Sequence, residues 1–467
     1  MTYQEVLAAA RTCSGPYCKA CPVCNGRACG NAVPGPGAKG SGTVAIRNYE
    51  AWQKVCLNMD TICDSTPVDV SYEFFGEKYA LPVFAGPVGA VKLHYGDKFT
   101  DLEYNDILVP ACADAGIAAF TGDGTNPEVF IAAASAIGKS GGKGIPTVKP
   151  WDLPTIFAKI DAAKAAGAKV FAMDIDAAGL PFLKGLNPPA GPKTVEELKE
   201  IIDYAGVPFI IKGVMTVKGA LKALEAGAAG IVVSNHGGRV LDSVPATAEV
   251  LPAIADAVKG KMVILVDGGI RNGVDVCKAL AMGADAVIMA RPYVTAVYGG
   301  GEEGVKVLTA KIKAEMEDAM AMCGVHSLKE ITRDILARKD DDGQPLLEKI
   351  LEASRKSFDY VILDTPPCSL MVDTAELSDL ADCALMVIRQ DYATRAQILE
   401  GVRLLTDNGL TMIGCAINGV TGNLATHGYR YGNGYGYGYG YGYGYGYGYG
   451  GYGGYGYGYG SKKNDSD

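Results

Sequence analysis

Eight short apolar runs, spaced by helical stretches, limit what residues 80 to 333 of this chain can fold into. The runs are LPVFA (81–85), IAAFT (117–121), IPTV (145–148), KVFAMD (169–174), PFIIK (208–212), GIVVS (230–234), MVILVD (262–267) and AVIMA (286–290). Each is nearly continuous in apolar residues, as a strand buried on both faces requires. Between most of them lies a segment rich in Ala, Lys and Glu, such as TIFAKIDAAKAA (155–166) or TVKGALKALEAG (216–227). Eight buried strands alternating with helices predict an α/β fold, a (β/α)₈ TIM barrel. A doubly wound open sheet is the alternative, and the residues after the strands decide between them. Gly86-Pro87, Gly122-Asp123, Lys212-Gly213, Asn235-His236-Gly237-Gly238 and Gly268-Gly269 follow five different runs. Chemistry gathered at so many strand ends suits a barrel mouth.

On either side of these runs the text changes character. Residues 1–43 form a Cys-rich segment, 44–333 the barrel and 334–345 a linker containing three successive aspartates. Residues 346–427 read as a partial parallel α/β fragment, with strands at DYVILD (359–364), CALMVIR (383–389) and TMIGCAI (411–417). Its small size gives it a small core. Residues 428–467 are a near-perfect Gly-Tyr alternation followed by a polar end, with fourteen of the 26 tyrosines between Tyr429 and Tyr459. Alternate glycines make ordering costly, so this tail is expected to be disordered.

Composition excludes several classes. With 48% hydrophobic residues the chain can build a large core, and its net charge of −9 argues against a generally basic nucleic-acid binder. No apolar run reaches the roughly 18 residues of a membrane span, and MTYQEVLAAARTC lacks the apolar stretch of a signal peptide. A soluble, cytoplasmic protein is expected. Thirteen cysteines are dilute and odd in number, which fits reduced thiols.

Several strand-end residues offer chemistry. Lys212 brings a cation to the mouth, and His236 lies in Ser-Asn-His-Gly-Gly-Arg, where glycines allow close approach of the backbone to a ligand. Arg239 can grip a carboxylate with its planar fork. Asp267-Gly268-Gly269 and Arg291 close the last two strands, where barrels commonly bind phosphate. Near the start, Cys13, Cys18, Cys21, Cys24 and Cys29 follow C-x4-C-x2-C-x2-C-x4-C, a pattern that suits an Fe–S cluster or zinc, with a Cys-rich loop as the alternative. Gly138-Lys139-Ser140 mimics the end of a phosphate loop, but Ala133 stands where that loop needs glycine.

The joint pattern KGV…SNHGGRxLD…DGGIRxGxDVxKALAxGA resembles the FMN-dependent α-hydroxy-acid oxidases and dehydrogenases, densely from about 205 to 305 and more thinly from about 44. The resemblance implies an FMN-binding oxidoreductase acting on a small 2-hydroxy acid such as lactate or glycolate. It implies that Lys212 faces the pyrimidine end of the flavin and that Ser234 hydrogen-bonds its ring. It makes His236 the base, Asp174 the partner of its imidazolium and Arg239 the grip on the substrate carboxylate. Asp267, Gly268, Gly269, Arg271, Ala290 and Arg291 would surround the FMN phosphate, with Ala290 in place of the usual glycine. It further implies an electron acceptor, oxygen or a redox protein, and a homo-oligomer. Three positions depart from the family: Ala178-Gly179-Leu180-Pro181 replaces Gly-Arg-Arg, Thr147-Val148-Lys149 replaces Gln and Tyr, and the usual tyrosine before the barrel is missing. A flavin isomerase resembling type 2 isopentenyl diphosphate isomerase is therefore a second reading.

The segment from Lys356 to Asp391, with Asp364-Thr365-Pro366-Pro367 after an apolar run, resembles the second half of a bacterial capsular-type tyrosine kinase, as does the tyrosine-rich tail. The glycine-rich loop and its lysine are missing, so the fragment is expected not to phosphorylate. A tyrosine-phosphorylation or interaction protein led by this fragment is the third reading.

Overall fold

Side chains alternate along a strand, so even a three-residue strand presents two faces. In Val83–Ala85, Phe84 joins one apolar cluster while Val83 and Ala85 join another. Repeated eight times, this alternation produces the barrel of the computed structural model, which describes residues 1–35, 37–180, 183, 185–187, 189–337, 346–365, 380–407 and 410–420. A hairpin comes first, β1 (Tyr72–Phe74) pairing antiparallel with β2 (Glu77–Tyr79). The barrel strands are β3 (Val83–Ala85), β4 (Phe120–Thr121), β5 (Ile145–Val148), β6 (Phe171–Asp174), β7 (Phe209–Val214), β8 (Gly230–Val233), β9 (Val263–Val266) and β10 (Ala286–Met289). All are parallel, in the order β3-β10-β9-β8-β7-β6-β5-β4, and a parallel bridge between Ala85 and Ala119 joins the two ends. The expected eight runs are the eight strands.

Inside the ring pack Phe84, Phe120, Ile145, Ile210, Val232 and Leu265. The hairpin adds Phe74, whose ring centroid is 4.8 Å from that of Phe84, and Tyr79, 5.2 Å from it. The other strand faces and the surrounding helices form the larger core. Asn126, Asp152, Thr194, Thr216 and Asn272 each start a helix by accepting a hydrogen bond from an amide two or three residues on. No described helix is long and apolar enough to cross a membrane.

The chain divides into two compact units, Met1–Gly343 and Gln344–Asp467, so the Cys-rich segment belongs with the barrel. The second unit contains a helix at Leu346–Ser357, β11 (Cys383–Arg389), a helix at Arg395–Asp407 and β12 (Thr411–Asn418), with β11 and β12 parallel. The strand expected at 359–364 does not form. Tyr360 and Ile362 are both 89% exposed, and among the described residues the two strands of this unit pair only with each other. Without a neighbouring strand, an apolar run has no ladder to join. Residues 338–345 of the linker, the segment 366–379 and the Gly-Tyr tail lie outside the described residues.

Phe84 is fully buried where the strands meet the hairpin. Phe84→Ala is expected to destabilise the barrel by about 3–5 kcal/mol. Denaturant titration followed by circular dichroism would measure it; a loss below about 1 kcal/mol would mean that the hairpin does not brace the barrel through this ring.

Candidate active site

The parallel register sets the first contact at the mouth. Asp174 ends β6 directly opposite Lys212 of β7, and Lys212 Nζ donates to Asp174 Oδ1 at 3.1 Å. Lys149, just beyond β5, lies 3.6 Å from the other carboxylate oxygen, and Asp267 lies 3.7 Å from Lys212. All but Asp267 are buried. Burial alone would raise the Asp174 carboxyl, but His236, Lys212 and Lys149 outweigh it and hold it well below the usual carboxylate range. Lys212 behaves correspondingly: burial works against its charge, and Asp174, Asp176 and Asp267 together lift it above the ordinary lysine value.

His236 follows β8 in a left-handed conformation, φ 55°. Its amide donates to Ser234 Oγ at 3.2 Å, and the Gly237 amide donates to Asn235 Oδ1 at 3.1 Å. Asn235 is in turn locked by a reciprocal amide pair with Asn48. The imidazole Nδ1 lies 3.0 Å from Asp176 Oδ1 and 3.5 Å from Asp174 Oδ1. Asp176 is thus the nearer partner, and Asp174 is shared with two lysines. Burial raises the Asp176 carboxyl, His236 and Lys212 lower it, Asp174 raises it, and the net direction is up.

Asp176 was missed in the sequence, although Asp-x-Asp in AMDIDAAG was its signal. Its place depends on β7. The register shifts between Lys212 and Val214, and Gly213 there has φ +103°. A Cβ on Gly213 would lie 2.6 Å from Asp176 Cβ and Cγ. The bulge and the missing side chain together admit the second carboxylate.

The opposite side of the mouth favours anions. The Asp267-Gly268-Gly269 turn is held by Thr247 Oγ1 donating to Asp267 O at 2.7 Å and by Trp52 Nε1 donating to Gly268 O at 2.8 Å. Arg271 donates to Cys24 O at 2.7 Å through Nε and to Ile270 O at 2.6 Å through Nη1, while its buried Nη2 has no partner. Arg291 Nη1 is likewise buried and unpartnered. Ala290 is fitted by a reciprocal loss, since a Cβ on Gly86 would stand 2.8 Å from the Ala290 Cβ. Arg239 uses three of its N–H groups on main-chain carbonyls: Nε and Nη2 on Pro34, Nη1 on His236. Burial first, and then Arg291, push its pKa down to about 10.

These groups line one cavity of about 620 Å³, shared by Lys149, Asp174, Lys212, His236, Arg239, Asp267, Gly268, Gly269, Arg271, Ala290 and Arg291. Thr147 also faces it. The Thr147 hydroxyl is buried without a hydrogen-bond partner, and so is that of Thr121 at the end of β4. Ser234 is fully buried, with its Oγ on the His236 amide. Gly138 and Lys139 close a helix instead of opening one, and Lys139 is paired with Asp106 at 2.6 Å. Among the described residues, ligand atoms of three groups come within 4.8 Å of one another only at Asp174, Asp176 and His236. No three sulfurs of Cys13, Cys18, Cys21, Cys24 and Cys29 approach so closely.

Residues 36–182 and 188–338, together more than half of the chain, match the family model described as FMN-dependent dehydrogenase. L-lactate dehydrogenase of Xanthomonas campestris pv. campestris (strain B100) is 50% identical over 143 residues, 31% of this chain and 37% of that protein. The counterpart in Xanthomonas euvesicatoria pv. vesicatoria is 49% identical over the same length. The match thus spans little over a third of these curated relatives. Among solved structures, mandelate oxidase with benzoyl-formic acid superposes with a TM-score of 0.59 at 27% identity, covering 72% of this chain and 97% of that one. A mutant of mandelate oxidase with (S)-mandelic acid gives 0.59 at 26% identity over the same shares.

Gly213→Ala is expected to cost about 1–3 kcal/mol, because it adds a left-handed backbone strain to a collision with Asp176. Thermal or denaturant unfolding would measure the loss. A neutral substitution would mean that Asp176 does not pack over this bulge.

Proposed function

This chain belongs to the FMN-dependent dehydrogenase family, and from that premise we propose that it oxidises a small 2-hydroxy acid. The observation that carries the proposal is His236, held 3.0 Å from Asp176 and lining one cavity with Arg239 and Lys149. The residues present suit FMN. Unpartnered nitrogens of Arg271 and Arg291 await an anion beside the Gly268-Gly269 turn, as a phosphate needs, and the unpartnered hydroxyl of Thr147 offers a hydrogen bond to a polar ring edge. Arg271, Arg291 and the glycine turn would hold the phosphate, and Lys212 would set a positive charge beside the ring. FMN, when bound, supplies the acceptor for the two electrons that the substrate loses.

The protein's own groups do the rest. A guanidinium has five N–H donors, and three of those on Arg239 are engaged, leaving two for a substrate carboxylate. Lys149 adds a second cation where the family has tyrosine. Asp176 accepts the Nδ1–H of His236, which leaves Nε2 free to take the substrate proton. The imidazolium so formed is faced by Asp176 and Asp174, so the proton transfer is stabilised without either carboxylate contacting the substrate.

The same reading makes the enzyme a cytoplasmic homo-oligomer that passes electrons to oxygen or a redox protein. Residues 346–467 are proposed as a kinase-like remnant without phosphotransfer. Supporting this, Asp364 does not close a strand, and the chain has no phosphate loop to complete such a site.

Purified protein is expected to release FMN and to be bleached by lactate or glycolate without oxygen. A colourless protein that FMN cannot reconstitute overturns the reading, and bound flavin that no 2-hydroxy acid bleaches returns the isomerase. His236→Ala is expected to keep the flavin and slow its reduction by about 10²–10⁴-fold. Stopped-flow absorbance would measure this; a loss below about tenfold moves the base elsewhere. A chain ending at Gly343 is expected to keep full flavin content, since every cavity residue precedes that point.

A further inference from the structure

The Cys-rich segment has no role in the chemistry above, yet it reaches the barrel mouth. Arg271 is tied to the Cys24 carbonyl and Arg239 to that of Pro34. The five cysteines divide into one and four. Cys13 ends the first helix, and its Sγ lies 3.3 Å from the Tyr298 carbonyl oxygen and 3.5 Å from those of Ala9 and Ala10. A sulfur engaged with main-chain carbonyls is the poorest placed of the five to hold a metal. Cys18, Cys21, Cys24 and Cys29 remain, spaced C-x2-C-x2-C-x4-C, half-buried and free of disulfides.

These four thiols lie within electrostatic reach of one another. The Ala20 amide points at Cys18 Sγ, 3.5 Å away, and Ala20 holds a left-handed φ of 41°. An amide aimed at the first sulfur of a C-x2-C turn is the kind of outer hydrogen bond that orients and tunes a metal-bound sulfur. Cys24 faces the charges of Arg291, Arg271 and Arg239, which offset the negative charge that four thiolates bring.

The sulfur spacing distinguishes the ligand. A single tetrahedral zinc holds its thiolates about 3.8 Å apart, from Zn–S bonds near 2.3 Å. No three of these sulfurs come within 4.8 Å. A cluster of several irons, with sulfide between them, spreads its thiolates more widely. We propose that Cys18, Cys21, Cys24 and Cys29 bind an iron–sulfur cluster of the [4Fe–4S] type against the anion-binding side of the barrel mouth. The proposal does not depend on the flavin or on the substrate.

The test is metal and acid-labile sulfide analysis of the full-length protein, purified anaerobically and then incubated with ferrous iron and sulfide. Roughly four irons and four sulfides per chain are expected. Cys13→Ser is expected to keep both, and Cys21→Ser and Cys29→Ser to lose them more than tenfold, with circular dichroism reporting that each variant remains folded. Zinc in place of iron, or less than one iron per chain after reconstitution, overturns the proposal. Equal loss in Cys13→Ser overturns the ligand set. If a serine variant unfolds, the iron and sulfide content of the unaltered chain together with that of Cys13→Ser decides the matter.

Discussion

Asp174 is a carboxylate placed at the end of a strand whose every residue is buried, and such a charge is strongly unfavourable unless partners surround it. Two lysines from the neighbouring strands β5 and β7 meet the need, one on each oxygen. The parallel register, pairing Asp174 with Lys212 across β6 and β7, makes the contact unavoidable once the barrel closes. Loss of either lysine would leave one oxygen of Asp174 without its cation. This trio fixes where positive charge faces the cavity, and everything polar nearby is arranged around it.

The consequence reaches His236. With Asp174 committed to two ammonium groups, an imidazole relying on it alone would share a carboxylate whose charge is largely offset. Asp176 supplies a second one, nearer by half an ångström. Burial first, with the nearby Asp174 carboxylate adding to it, sets the net direction for Asp176 upward, while Asp174 is held low by its cations. His236 thus lies between two carboxylates, 3.0 Å from one and 3.5 Å from the other.

Much of this was legible in the chain. Eight apolar runs became eight strands because buried parallel strands tolerate few polar residues, and Lys212, His236 and Asp267 stood out as polar groups at their ends. What was not legible depends on backbone detail. Asp176 looks like an ordinary turn residue until the bulge at Gly213 makes room for it. Lys149 follows an apolar strand and a neutral reading would leave it in solvent; its link to Asp174 comes from strand order. The run at 359–364 has the apolar pattern of a strand, but a pattern cannot supply the neighbour that a strand needs.

The N-terminal segment shows why the strongest motif was incomplete by itself. The residues that carry the family resemblance most densely, 205 to 305, supply Arg239 and Arg271, yet both reach back to carbonyls before residue 36. Gly35 is left without a side chain where a Cβ would lie 2.9 Å from Arg239 Nε, and Gly40 where one would collide with Asp242. Ser41 completes the seam, its amide and hydroxyl both donating to the Asp242 carboxylate. A segment with almost no regular structure between residues 14 and 42 is therefore fixed to the loop after β8 by glycines and by charge. Because Pro34 takes two of the Arg239 donors, this segment also sets how many N–H groups of that guanidinium remain free. The hydrogen-bonding capacity of the mouth is thus divided between strand ends, which place the charges, and a loop far away in sequence, which decides how many of their hydrogen bonds remain free.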